Sequence, residues 1–597
     1  MILQALKEYY DRKAADPESG IASLGWERKE IPYLIVLRED GTLVRVEDTQ
    51  EKVGKKKRAK VFRVPQAVKR TVGVSANLLW DNVEYVTGVV CKGKPERVAA
   101  QHQAFVKRLA ELAECPSVKT ICAFLATPGC QDKLAAFPEW KEAVEGCAFV
   151  SFMLAGETCP VFNMRDVVEK INSGKPPSAE VSDGAICLVS GRRDVVAKLH
   201  PAIKGVQGTN TTGGNIISFN FPAACSFGKS QGENAPIGER AAFEYTTALN
   251  TLLSKDSRQK MSVGDATAVF WSERKTALED EFIDLFGEPE KDNPDKGVAA
   301  VERLLSSVRA GAFSPEDDTT RFYVLALAPN SARISVRFWH NGTVAEMERR
   351  FADWFENLQI AHGPKDKEHL SLTRLLLSTA PYNKDFQKWK SNISPNLAGA
   401  VMRSILEGTP YPATLLSSVI LRIKAEHEVT YPRAKIIKAF INHNLNQERK
   451  LTVSLDRENT NVGYRLGRLF AVLEKVQEEA NPGLNATIRD KFYASASSTP
   501  NAVYGNLMRL KNHHLGELSQ GRMVYFEKLM GDIISEIPSF PAHLSLADQG
   551  QFAIGYYHQR QDFFAGKREK SADVGGAKNG SGGGESVRAE FSLGQQF

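Results

Sequence analysis

Apolar positions follow two regimes along this chain. Through about residue 360, short apolar runs alternate with stretches of helical period; from about 366 only the helical period remains. Ile2, Leu3, Leu6, Tyr9 and Tyr10 predict a short amphipathic helix at the start. The runs 31–37 and 42–46 around Asp40-Gly41 predict a hairpin. Val98, Phe105, Leu109 and Leu112 mark a helix over 95–115, and the bounded runs 148–154 and 185–189 read as strands. Ala242, Tyr245, Leu249, Leu252 and Leu253 give a helix over 238–255, followed by a strand at 267–271 and a polar linker at 287–297. Strands at 322–328 and 333–339 and a helix at 343–358 close the mixed region. Proline turns at 409–412, 481–483, 499–501 and 538–541 punctuate the helical half. The expected fold class is therefore α+β: a mixed α/β region over 1–360, an all-helical C-terminal bundle over 366–565, and a disordered, Gly/Ser-rich tail over 566–597.

Length agrees, since 597 residues exceed what one core serves. The N-terminus has no cationic start or cleavage site, and no run of 18 apolar residues occurs, so a cytoplasmic chain with no membrane segment is expected. The eight cysteines all precede residue 226 and form no CxxC, and no paired histidines follow them at zinc-finger spacing. Reduced thiols and no metal are expected. Neither a GxSxG nor an HExxH motif occurs, so no catalytic residue and no cofactor is assigned.

Charge adds a location. Net charge is only +6, but residues 51–70 hold nine Lys/Arg against Glu51 alone. Such a block is either a footprint for phosphates or a solvated loop. A second cluster comprises Arg422, Lys424, Arg433, Lys435, Lys438, Arg449 and Lys450; around 433–440 one helix face can pack while the other tracks a phosphate strand or simply meets water.

The richest stretch is 205–238, with seven glycines in 34 residues and a strand-like run at 216–221. It ends in Gly228-Lys229-Ser230, which fits a phosphate loop only if Ala223 replaces the first glycine. Gln231–Gly238 then breaks the helix such a loop needs. A nucleotide-hydrolysing enzyme using Lys229 and Ser230 is the alternative reading. At the front of the stretch, Gln207, Thr209, Asn210, Thr211, Thr212, Gly213, Gly214 and Asn215 combine amides and hydroxyls with glycines. That chemistry can read groove acceptors at close approach, or make a tight structural turn.

Several motifs carry a resemblance. They are the N-terminal MILQALKEYYDR, Val64-Pro65, Leu78-Leu79-Trp80-Asp81-Asn82, Asn210-Thr-Thr-Gly-Gly-Asn-Ile-Ile-Ser-Phe-Asn220, Pro236 through Phe243, Phe270-Trp271, Asn461 through Phe470, and Gly555-Tyr556-Tyr557. In these the chain resembles the large subunit of the type I-C CRISPR Cascade surveillance complex, the Csd-type family. The resemblance implies a non-enzymatic role in antiviral defence, within a ribonucleoprotein of crRNA with backbone, handle-binding and small subunits. It implies recognition of the protospacer-adjacent motif (PAM) in double-stranded target DNA, opening of the duplex into an R-loop, and recruitment of a helicase-nuclease. It also implies that the C-terminal helical region is like the small subunit. On that footing the 207–215 residues are expected to probe the motif duplex. Lys55, Lys56, Lys57, Arg58, Lys69, Arg70 and Lys229 are expected to grip nucleic-acid backbone, and Arg433, Lys435 and Lys438 to guide a displaced strand.

Overall fold

The computed structural model describes the chain except residues 54–55, 69, 71–72, 174–183, 220, 290–291, 294, 312–318, 332, 446–449 and 577–597, and except the side chains of 53, 56, 224 and 565–576. It divides into two compact units: Met1–Ser257 with Leu327–Val336, and Arg258–Ala326 with Arg337–Phe597.

The first unit is built on a four-stranded sheet ordered Leu43–Asp48, Tyr33–Leu37, Phe149–Leu154, Trp80–Asn82. Tyr33–Leu37 pairs antiparallel with its hairpin partner and parallel with Phe149–Leu154. All five of its residues are buried, as expected where a continuous apolar run makes a central strand. Helices Pro95–Leu109, Pro116–Ala126 and Pro138–Gly146 contribute Phe105, Leu109, Ile121, Phe124 and Trp140 to the same core. The opening helix Ile2–Ala14 buries Ala5, Leu6, Tyr9 and Tyr10 and packs on Glu239–Leu252, with Tyr10 edge-on to Phe243 at 5.9 Å. The expected hairpin, both of these helices and the strand at 148–154 are thus present.

The basic block is not an unstructured loop. Gln50–Val53 and Lys56–Ala59 form a hairpin, and Val61–Pro65 pairs with Trp26–Glu30. Two strand readings need correction. The run at 185–189 shrinks to Ala185–Ile186, paired with Arg193–Asp194. The described residues of 216–221 form no strand; just before them the backbone makes isolated bridges, Ile203 with Gly214 and Asn215 with Arg333. Glycines on both sides of the run leave too little regular backbone to form a ladder.

A second four-stranded sheet runs Lys260–Val263, Ala266–Ser272, Arg321–Asn330, Arg333–Thr343, as the apolar runs predict; its residues belong to the second unit except Leu327–Val336. Rings seal it: Phe270 lies 4.4 Å from Phe282, which meets Phe286 at 5.1 Å and Phe351 at 5.6 Å. No strand follows Thr343 among the described residues. The helices Val462–Ala480 and Leu546–Gly576 lie together at the centre of the helical part, and glycines let their backbones touch. A Cβ on Gly467 would come 2.0 Å from the Phe552 carbonyl, and one on Gly555 2.0 Å from that of Tyr464. Glu474, fully buried, accepts from the Tyr556 hydroxyl at 2.6 Å and from Thr487 at 2.9 Å. The last helix reaches Gly576, so it takes in the first residues of the expected tail; the remainder lies outside the described residues. No helix among the described residues is long and apolar enough to cross a membrane.

Candidate nucleic-acid interface

Two main-chain hydrogen bonds close the polar glycine loop. Ile203 donates to the Gly214 carbonyl at 2.8 Å, and Gly214 returns to that of Ile203 at 2.9 Å. Between them Gly208 and Gly213 take φ of +83° and +89°. A Cβ on Gly213 would strike the Ile203 carbonyl at 2.5 Å, so only glycine allows this closure. Gly213 N–H donates to the Asn210 carbonyl at 2.9 Å, which tightens the turn.

This geometry splits the eight expected contact residues. Gln207, Asn210, Thr211 and Thr212 are exposed at the tip. The other four build the loop. Thr209 is half-buried and its hydroxyl donates to the Val206 carbonyl at 2.7 Å. Gly213 and Gly214 make the closure. Asn215 donates its side-chain amide to the His200 carbonyl at 3.0 Å and the Pro201 carbonyl at 3.4 Å, and its own carbonyl accepts from Ile334 N–H at 2.9 Å.

Beside the loop lies a cavity of about 680 Å³ lined by Lys198, His200, Asn215, Phe219, Phe221 and Gln231, among others. The guanidinium of Arg333 sits over the Phe221 ring at 5.3 Å. Phe227 is 95% exposed at φ +56°, with Lys229 exposed two residues on. Lys198 and Phe221 in the cavity lining, Arg333 over Phe221, and the exposed Phe227 and Lys229 nearby in the chain suit stacking and phosphate contact. Sequence reasoning passed over Lys198, Phe221, Phe227 and Arg333. The available signal was an aromatic beside Gly228 in an otherwise polar run.

The nucleotide reading of Lys229 and Ser230 lacks its geometry. Only a four-residue 3₁₀ turn, Gln231–Asn234, follows. The Ser230 N–H, which a phosphate would need, donates to the Glu233 carboxylate at 2.8 Å. At the next helix, Glu239–Leu252, the Arg240 N–H already faces the carboxylate of Asp194 at 3.3 Å.

In the basic block, Lys57 pairs with Glu142 at 3.0 Å and Arg58 makes a two-pronged pair with Asp256 at 2.7 and 2.5 Å. These pairs are exposed, and a carboxylate partner of this kind is readily exchanged for phosphate. The hydrogen bond that Arg58 donates to the Asp256 carboxylate holds the Arg58 pKa above its ordinary value. Lys55, Lys69 and the side chain of Lys56 lie outside the described residues. Arg70 is already partnered. It donates to the Ser75 carbonyl at 2.7 Å and to Asp81, and lies 4.0 Å over the Tyr85 ring. Asp81 is fully buried, and that burial pushes its pKa up against the pull of the Asn77 N–H and Arg70. Arg70 is thus the counter-charge of a buried carboxylate, while its own side chain stays 32% exposed.

Burial corrects the reading of Arg433, Lys435 and Lys438. Helix Tyr431–Asn444 is buried almost all round, and these three cations retain only 3–5% exposure. Arg433 donates to the carbonyls of Ser378 and Glu428 at 3.2 and 2.9 Å and to the Glu426 carboxylate. Lys435 donates to the Glu368 and Leu358 carbonyls at 2.9 and 3.3 Å, and Lys438 to that of Asn357 at 3.1 Å. Desolvation lowers both lysines to a pKa of about 8. They tie helices together and have no face left for a strand of nucleic acid.

Comparison with known proteins adds the family. The family model described as CRISPR-associated protein (Cas_Csd1) matches residues 6–564. The chain belongs to this family. It is the Csd-type family of type I-C Cascade large subunits that the Asn210–Asn215 and Asn461–Phe470 motifs resemble. The family match spans both units and every candidate residue above. A search of curated proteins found no match.

Proposed function

We propose that this chain, as a type I-C Cascade large subunit, reads the protospacer-adjacent motif of double-stranded DNA through the loop tip Gln207, Asn210, Thr211 and Thr212. The observation that carries the reading is the division within the loop. Four residues are spent on closing it, and the four left exposed all bear amide or hydroxyl groups able to pair with groove acceptors. Lys57, Arg58 and Lys229 then meet nucleic-acid backbone, exchanging carboxylate partners or solvent for phosphate. The chain carries out no chemistry of its own in this role. It works in the cytoplasm with crRNA and the backbone, handle-binding and small subunits, opens the duplex for guide pairing, and supports recruitment of a helicase-nuclease. Its region 1–360 docks the handle and reads the motif, while 366–565 acts as a small-subunit-like body.

The test is a reconstituted complex bearing Asn210→Ala with Thr212→Ala, in gel shifts on duplexes with the correct and a scrambled motif. The expected result is a collapse of the preference with binding to the scrambled duplex unchanged. An unaltered preference overturns the assignment to the tip.

A further inference from the structure

Three side chains from two stretches of the chain converge beside the sheet of the first unit. Glu84 lies in the helix Val83–Thr87, Cys91 in the loop after it, and Cys147 at the C-cap of Pro138–Gly146. A carboxylate oxygen of Glu84 and the two Sγ atoms all lie within 4.8 Å of one another. In a tetrahedral zinc site, with metal–sulfur bonds of about 2.3 Å and metal–oxygen bonds of about 2.0–2.2 Å, ligand atoms sit roughly 3.5–3.8 Å apart. The triangle is therefore near the size of a coordination shell.

Bonds to the backbone hold the cluster in place. Glu84 Oε1 accepts N–H bonds from Cys91, Lys92 and Gly93 at 3.2, 2.7 and 2.6 Å, which folds the loop back over the carboxylate. Cys147 is held at φ +50° as its N–H closes the helix on Val144, and the next carbonyl, that of Ala148, takes the Val83 N–H at 3.1 Å. Glu84 is buried at 5% exposure and the cysteines are half-buried, unlike the exposed acidic groups that crowd on surfaces without an ion. Two sulfurs and one carboxylate are the donor set of zinc-like cations; magnesium and calcium prefer all-oxygen sites. All three N–H bonds fall on Oε1, so Oε2 is the atom to meet a cation.

We propose that Glu84, Cys91 and Cys147 bind a thiophilic divalent cation of the zinc class, with water as fourth ligand. Binding breaks each S–H bond, passes the two protons to solvent and forms two sulfur–metal bonds, with no change of oxidation state. The ion pins the loop after Val83–Thr87 to the entry of strand Phe149–Leu154, and so stiffens the Trp80–Asn82 edge of the sheet. Ligands 7 and 56 residues apart are invisible to a search for CxxC spacing.

The test uses the full-length chain, reduced and freed of metal, titrated with cadmium as a spectroscopic stand-in. The thiolate-to-metal ultraviolet band should saturate at about one ion per chain, as expected for a single site. It should lose about half its amplitude in Cys91→Ser and in Cys147→Ser, because each thiolate contributes one sulfur–metal bond. Cys122→Ser should leave it intact, zinc should abolish it by competition, and Glu84→Gln, which keeps an acceptor for the three N–H groups, should weaken it. The wild-type titration alone decides the matter should a variant not fold. A wild-type band no larger than that of the double cysteine variant overturns the proposal. So does mass spectrometry finding Cys91 and Cys147 joined as a disulfide with no metal uptake.

Discussion

Asn215 and His200 are joined through the Asn215 amide, which donates to the His200 carbonyl at 3.0 Å. This bond lies at the base of the proposed reading loop. Asn215→Ala should cost the first unit about 1–2 kcal/mol, the scale of a partly buried amide bond, measured by urea unfolding. It should weaken binding to every duplex alike. Asn210→Ala, at the exposed tip, should leave stability unchanged and cost only motif preference. Equal effects of the two substitutions on stability would contradict the division of the loop.

The Arg58–Asp256 pair makes a separate test of the basic block. Asp256→Asn releases Arg58 from its carboxylate. The complex should then bind duplexes more tightly, with a salt dependence steeper by about one ion. An unchanged slope in gel shifts across a salt series would remove Arg58 from the phosphate contacts.

The buried cations of helix Tyr431–Asn444 should behave in the opposite way. Lys435→Ala and Lys438→Ala should each destabilise the second unit by about 1–3 kcal/mol, because the carbonyls of Glu368, Leu358 and Asn357 lose their donors inside the fold. The salt dependence of DNA binding by the folded complex should not move. A change in that slope without loss of stability would return these lysines to a nucleic-acid role.

These three cations also show how far the chain can be read before folding. At 100° per residue, Arg433, Lys435 and Lys438 point to about 0°, 200° and 140° round the helix, so they never formed a single basic face. That spread was legible; what was not is that neighbouring helices would supply carbonyls on each side. Period and turn chemistry did mark the Tyr33–Leu37 hairpin, the helix Glu239–Leu252 and the paired strands Arg321–Asn330 and Arg333–Thr343, because each buries one regular pattern. The glycine loop was legible as a tight turn, but its split into tip and base was not. Which of Thr209, Asn210 and Asn215 turns inward depends on Val206, His200 and Ile334, and composition does not tell where those groups lie. The pairing of Arg70 was hidden for a similar reason, since its partner Asp81 lies in a strand-like motif eleven residues on.

Acid should unfold the second unit through its buried histidines. Desolvation lowers His369 to a pKa of about 4 and His558 to about 3, from an ordinary 6.5. A folded pKa below the unfolded one gives stability that is fully present above pH 6.5 and lost as pH falls through the folded values. Each group should contribute a slope of up to about 1.4 kcal/mol per pH unit within that window. His443, raised by its bond to Asp353, works in the opposite sense: its contribution is present below its unfolded pKa and fades as pH rises. Urea midpoints followed downward from neutral pH should therefore fall, and His369→Gln should flatten the fall. A variant with the wild-type slope would place the acid sensitivity elsewhere.

The sharpest demand on any single residue is at Gly467. Helices Val462–Ala480 and Leu546–Gly576 approach until a Cβ there would stand 2.0 Å from the Phe552 carbonyl oxygen. That neighbour is backbone within a helix and cannot swing aside as a side chain would. Gly467→Ala must push the helices apart, loosening the burial of Glu474 and its bond to Tyr556. The expected cost is about 3 kcal/mol or more, beyond ordinary overpacking. Gly505 and Gly531 lie in helices Pro500–Gly516 and Gln520–Ile534 with open space where a Cβ would go. Alanine at either should instead stabilise by about 0.5–1 kcal/mol through helix propensity alone. Thermal and urea unfolding of the three variants side by side gives the comparison. Equal effects at Gly467 and Gly505 would mean that the two central helices do not make backbone contact in solution.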